Sequence, residues 1–309
     1  MKVMKKSVAL WAFALVAVLS AKAQNQPQLE VGFLTGGANY LGEIGGIDDP
    51  RASLLDVRLN QTSPTAGVFL GLGIHPRIAF KSSVNFVQIK GEDAASSNPA
   101  RRARNLNFRN RMVEFGLTAE FKYLTFQDLT NEGSTNPSFT TNLECTLFGG
   151  FYGVLHNPMA RVTYDPNNMW EDRYYELRPL RTEGQLEEYS RLIAAIPFGF
   201  GFNVNVRNTW KFGLEASYRT TFTDYLDDIS GQYADPAYLD PLAQALSSQS
   251  NEYVIALIND PSSGSVANHQ YSEGGTYRGN PLTNDGYGTI QFTVSKVLKT
   301  SSRNNGRSF

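Results

Sequence analysis

Between Leu192 and Phe222 the chain changes polarity at every second residue. Leu192, Ile196, Phe198, Phe200 and Phe202 share one parity, while Pro197, Gly199, Gly201, Asn203 and Asn205 share the other. After Arg207-Asn208-Thr209 the alternation resumes, with Trp210, Phe212, Leu214 and Tyr218 set against Lys211, Gly213, Glu215 and Arg219. Successive side chains of a strand point to opposite faces, so this pattern predicts two strands joined by a tight turn. The same period predicts further strands over residues 28–34, 65–74, 77–90, 107–124, 139–155 and 287–298. That makes eight, an even number.

The two faces are inverted relative to a soluble sandwich. One is aromatic and aliphatic along its whole length. The other is rich in glycine and carries Lys81, Glu114, Glu120, Lys122, Glu144, Lys211, Glu215 and Arg219. Lipid accepts the first kind of face, and a crowded barrel interior accepts the second. Connections alternate as well: those after the second and sixth strands are tight and the one after the fourth is moderate, while the other four are long. The fold class expected is therefore all-β, an eight-stranded antiparallel transmembrane barrel of the outer membrane. Its short turns lie in the periplasm and its long loops outside. Closure removes the strand edges that lipid does not tolerate. An interior of eight strands fills with side chains, so the charges must pair. A salt-bridged plug is the reading this favours, with a polar conduit or ligand site as the alternative.

Other features bound this picture. Lys2, Lys5 and Lys6, the apolar stretch Ser7–Ser20 and Ala21-Lys22-Ala23 form a secretory signal pattern, so residues 1–23 are expected to be cleaved. The barrel domain is expected over 24–300, with 301–309 a disordered tail. Cys145 is the single cysteine, which rules out an intramolecular disulfide and suits a bacterial envelope protein. A net charge of −1 with no basic tract gives no reason to expect nucleic acid.

Candidate chemistry is sparse. His75, His156 and His269 occur in no metal-ligand spacing. Asp224, Asp227 and Asp228 lack the calcium-loop pattern and read as solvated loop acids or a local cap. No phosphate-binding glycine loop occurs. No catalytic residue, cofactor or metal is assigned.

Six short pieces carry a resemblance: Glu30–Phe33 with Gly36–Gly42, Leu106–Arg109, Thr182–Gln185, Ile196–Gly199, Arg219–Ser230 and Arg278–Asn280. In this order they resemble the PorG-like outer-membrane proteins of Bacteroidota. The resemblance implies a component of type IX protein secretion, with gliding motility as a related role. The barrel would dock a periplasmic ring of PorK-like lipoprotein and PorN-like partner to the outer membrane. It implies outer-membrane lipid and those ring proteins as partners, and no catalysis. Two other readings remain open, a small barrel enzyme acting on lipid and a receptor barrel with ligand-binding outer loops. Within the shared pieces, Arg109, Glu183, Gln185, Arg219, Asp224 and Asp227 sit near strand ends. They are expected to form one polar network pinning the long loops over the barrel mouth.

Overall fold

The computed structural model describes residues 28–44, 59–96, 99–126, 141–163, 165, 169–207, 209–250 and 274–298. The expected signal segment 1–23 and tail 301–309 lie outside the described residues. The long strands are β1 (Gln28–Leu41), β2 (Ser63–His75), β3 (Ile78–Glu92), β4 (Asn107–Phe126), β5 (Thr141–Leu155), β8 (Leu192–Val206), β9 (Trp210–Thr221) and β10 (Gly286–Leu298). Two short strands, β6 (Pro158–Ala160) and β7 (Tyr175–Glu176), prolong the sheet beyond β4. The order β3-β2-β1-β10-β9-β8-β5-β4 is antiparallel throughout, and β3 also pairs β4 from Ile78↔Phe121 to Glu92↔Asn107. The sheet therefore closes on itself, an eight-stranded barrel. Among the described residues no helix is long and apolar enough to cross a membrane, a test that does not bear on strands.

The expected strands are all present, with boundaries shifted by a few residues except at β1. That strand runs on to Leu41 through Gly36-Gly37-Ala38-Asn39, where no alternation signals it. Sterics explain the glycine: a Cβ on Gly36 would stand 2.0 Å from the carbonyl oxygen of Ile290 on β10. Close strand approach at this point of the wall leaves no room for a side chain.

The wall has the predicted inversion. Phe33, Leu70, Phe115, Phe151, Phe200, Phe212 and Phe292 are all exposed, Phe292 at 63%. At the short-turn end Tyr123, Phe126 and Trp210 form an aromatic rim, and the Lys296 ammonium lies 5.8 Å from the Trp210 ring centre. Amphipathic rings beside a lysine suit a membrane–water interface. Inside, the charges neutralise one another in tiers. Lys81 Nζ bridges Glu215 (2.6 Å) and Glu120 (2.7 Å), Lys122 meets Glu144 (2.9 Å), and Lys211 reaches Glu30 (3.1 Å) and Glu144 (3.7 Å). Higher up, Arg219 Nε donates to Glu114 (3.0 Å), which also accepts from the Tyr287 hydroxyl. A cavity of about 30 Å³ at the short-turn end is lined by Glu30, Lys81, Glu120, Lys211 and Glu215 among others. It holds little more than a water.

Above the ionic tiers the lumen turns apolar. Val87, Ile89, Met112, Val154 and Tyr287 pack with Leu226 and Ile229, which belong to the loop after β9. That loop drops into the mouth and stoppers it. Period-two reading places Val87 and Ile89 on the inward face but gives no hint of what meets them.

Candidate functional site

The long connections gather over one end of the barrel, and their buried polar groups form the candidate site. The loop from β3 to β4 contains a 3₁₀ turn (Asp93–Ala95) and a short helix, α1 (Pro99–Arg104). The loop from β9 to β10 carries a 3₁₀ turn (Pro236–Tyr238) and a second short helix, α2 (Pro241–Ser247). Leu226 is held at both backbone groups: its N–H donates to Asp285 (2.9 Å) and its carbonyl accepts from Asn110 (2.8 Å). Asp228 takes φ +72°, turning the chain so that Ile229 follows Leu226 into the mouth. Gly279 lies across this segment, and a Cβ there would sit 2.5 Å from Cγ2 of Ile229 and 3.0 Å from the Ser230 carbonyl oxygen.

Two arginines tie the loops together. Arg278 Nη1 donates to Glu183 (3.2 Å), to Thr182 (3.1 Å) and to the carbonyl of Asp228 (2.5 Å). Glu183 in turn accepts from the backbone N–H groups of Ser230 (3.0 Å) and Gly231 (3.1 Å). Asp228 accepts from the hydroxyls of Thr182 and Tyr189. Burial raises the Asp228 carboxyl to about 6, with Arg278 pulling it back down. Arg104 makes a two-pronged pair with Asp93 (2.7 and 3.0 Å) and donates to the carbonyls of Glu43 (2.8 Å) and Arg278 (3.2 Å).

Beside these pairs lies a cluster of acids without a matching number of cations. Glu43, Asp224 and Asp285 each bring a carboxylate oxygen within 4.8 Å of the others. Burial first, then the charges of Glu43 and Asp285, push Asp224 up to about 8. Burial and then Glu43 push Asp285 to about 8 as well. Asp227, buried beside them, is raised well above its ordinary value by burial and then by Asp285 and Glu43. The residue types suit a hard cation, being all-oxygen with no histidine or thiolate in the group.

The expected single polar network is thus divided. Glu183, Gln185, Asp224 and Asp227 lie in the cap, with the Gln185 side-chain oxygen accepting from the Glu183 N–H (3.2 Å). Arg219 does not join them; it is committed to Glu114, Ser217 and Thr289 inside the lumen. Arg109 is apart too, its guanidinium stacked 3.7 Å from the Tyr174 ring centre. Both corrections have one cause: Arg219 does face inward as the alternation indicates, and Arg109 shares the outward parity of Val113 and Phe115, so nearness to a strand end alone does not bring either to the cap acids. The cations that hold the cap are Arg104 and Arg278 instead. The triplet Arg278-Gly279-Asn280 was visible as a motif, but its partners 95 residues away were not. Nor are Asp224, Asp227 and Asp228 solvated, being 8%, 1% and 0% exposed.

His156 lies at the edge of the cap. Its Nε2 faces the Ser190 carbonyl (2.9 Å), its Nδ1 faces the Asn110 amide (3.4 Å), and its ring stacks on Tyr189. Burial chiefly, with Arg178 and Arg191 adding repulsion, lowers it to about 4. His75 Nδ1 accepts from the Arg77 N–H within the β2–β3 turn. His269 lies outside the described residues.

A closed eight-stranded sheet, apolar outside, ionic within and capped at one mouth, defines an outer-membrane-type β-barrel. The chain belongs to the DUF6089 family, a domain of unknown function, which it matches over residues 6–242. None of the curated proteins matches it. Among solved structures it is similar to Ail, the attachment invasion locus protein of Yersinia pestis, in complex with a heparin analogue. That match has 8% identity and a TM-score of 0.31, covering 88% of this chain and 97% of that one. It is similar also to CarO2 of Acinetobacter baumannii, at 14% identity and a TM-score of 0.26, covering 89% of this chain and 100% of that one.

Proposed function

We propose that the protein is an outer-membrane anchor of the type IX secretion machinery, with a related role in gliding, docking a PorK/PorN-like periplasmic ring to the membrane. The observation that carries a structural role is the sealed lumen: paired ions fill the lower half, and Leu226 and Ile229 stopper the upper half. A barrel so filled has no wide passage, which favours holding something in place over transport. The sequence resemblance to PorG-like proteins supports the choice of machinery. The docking surface is the short-turn rim, around residues 75–77 and 207–210, together with 125–138, most of which lies outside the described residues.

The role is non-catalytic and needs no cofactor. Both ring nitrogens of His156 are spent on Asn110 and Ser190, and burial keeps the imidazole neutral, which leaves it poorly placed as a base for a lipid hydrolase. A receptor role is the second reading, and the ordered cap favours it, because interlocked loops present a fixed outer surface.

Co-purification from native membranes in mild detergent tests the anchor reading. Ring proteins should be recovered with the wild type and lost with Arg77→Glu at the exposed turn, while membrane insertion is unchanged. Recovery of the barrel alone from wild-type membranes would contradict it.

A further inference from the structure

We propose that Glu43, Asp224 and Asp285 form a calcium site that locks the outer loops over the barrel mouth. The three come from separate segments: Glu43 follows β1, Asp224 follows β9, and Asp285 immediately precedes β10. One shared ion would therefore tie together connections that are far apart in sequence. Their oxygens lie within 4.8 Å of one another, and ligands at ~2.4 Å from a calcium ion are at most ~4.8 Å apart. Magnesium holds its ligands at ~2.1 Å in strict octahedra and keeps several of its waters, so three protein carboxylates converging on one point suit calcium better.

A second observation points to a ligand. Asp224 is only 8% exposed, and neither of its carboxylate oxygens has a hydrogen bond of ordinary geometry, though the Ser230 hydroxyl lies beside it. Oε2 of Glu43 and Oδ2 of Asp227, the latter residue 1% exposed, are likewise without one. A buried carboxylate oxygen without a partner is costly, so this concentration calls for a cation. Elsewhere in the cap the acids are satisfied: Glu183 has Arg278 and two backbone N–H groups, and Asp93 has Arg104. Among the buried acids of the cap the lack of partners is confined to this cluster, although single amide atoms such as Gln185 Nε2 and Gln249 Nε2 lack one elsewhere.

The surroundings hold the ligands in place and leave them capacity to bind. Asp285 accepts from the Tyr40 hydroxyl at Oδ1 (2.5 Å) and from the Leu226 N–H at Oδ2 (2.9 Å), and each oxygen keeps a lone pair. Glu43 Oε1 accepts from the Asn280 N–H (2.8 Å). Gly42 leaves the space needed, since a Cβ there would stand 2.1 Å from the Tyr40 hydroxyl and 2.8 Å from Asp285 Oδ1. The charges of Arg104 and Arg101 reach Glu43 from one side, but Arg104 is already neutralised by Asp93. Asp227 stands behind the three as a fourth anion and supplies further attraction.

The test uses the full mature chain folded in detergent micelles. Terbium is the probe for binding, with its luminescence sensitised by the adjacent Tyr40, and calcium then displaces it. Calcium should also raise the thermal midpoint and slow proteolysis of the outer loops. Asp224→Asn should weaken terbium binding by ~10-fold or more through loss of a charged ligand. The sign of its effect on stability separates the proposal from a plain acid cluster. Without metal, Asp224→Asn should be at least as stable as wild type, because like-charge repulsion is relieved; with calcium, wild type should be the more stable. Glu171→Gln, at an exposed ion pair elsewhere in the cap, should respond to calcium as wild type does. A wild-type midpoint indifferent to calcium, or an equal response in Asp224→Asn, would overturn the site. Magnesium acting at the same concentrations as calcium would overturn the choice of ion.

Discussion

Arg278 and Arg219 show how the same residue type secures two different parts of the molecule. Each guanidinium is buried and lies against carboxylates and hydroxyls, Arg278 through its Nη1 and Arg219 through both Nε and Nη1. Removing one partner of such a pair leaves an uncompensated buried charge, at a cost of ~3–5 kcal/mol. Arg278→Ala should therefore free the outer loops to protease while the barrel still resists heat. Arg219→Ala should instead lower the unfolding midpoint of the whole barrel, since Glu114 is left alone at its centre. Limited proteolysis and thermal melts of the two variants check the division. His156 supplies a pH signature. Its pKa falls from an unfolded value of ~6.5 to about 4 in the fold. Over that window the unfolded chain binds the extra proton, so the contribution to stability is complete above about 6.5 and declines as pH falls toward 4. The stability difference between wild type and His156→Gln should shrink correspondingly on acidification, as measured by denaturant titrations at a series of pH values. A difference that is constant with pH would show that the imidazole is not buried neutral.

At the scale of elements, the segment 226–230 is what turns an open cylinder into a stoppered one. Ile229→Ala deletes buried atoms from the stopper and should cost ~2–5 kcal/mol of local stability. Gly279→Ala should have a comparable effect through overpacking, ~1–3 kcal/mol, because the added carbon meets Ile229 and the Ser230 carbonyl. Hydrogen exchange of the Leu226 and Ile229 amides reads both. These loops mark the limit of what sequence alone conveys. Strands announce themselves because lipid and lumen impose opposite polarities at period two, so Phe212 and Lys211 reveal the faces of β9 without any structure. Inward charges such as Lys81 and Glu215 are readable for the same reason. Gly36–Asn39 carries no such signal, since its small residues answer to a neighbouring backbone. The cap carries none either: Arg278 to Glu183 and Glu43 to Asp285 are meetings across more than 90 residues with no period to betray them. Strand-end position suggests that Arg109 and Arg219 join the cap acids, but Arg219 spends its donors on Glu114 and Thr289 inside the lumen and Arg109 stacks on Tyr174.

For the molecule as a whole, the division into a greasy wall, an ionic lower lumen and a stoppered mouth predicts insertion without conduction. Planar bilayers containing the protein should show no steady channel current, and Leu226→Gly/Ile229→Gly should not open a wide pore because the tiers from Lys81 to Lys211 remain. Large, stepwise conductance in the wild type would mean that the interior pairs are not formed. The most direct measurement of the wall itself is quenching by brominated lipid acyl chains in reconstituted vesicles. A tryptophan in place of Phe292, on the exposed face of β10, should be strongly quenched, while one in place of Leu282 in the exposed outer loop should not. Equal, weak quenching at both positions, with the folded chain monodisperse in buffer free of detergent, would contradict a membrane-spanning barrel.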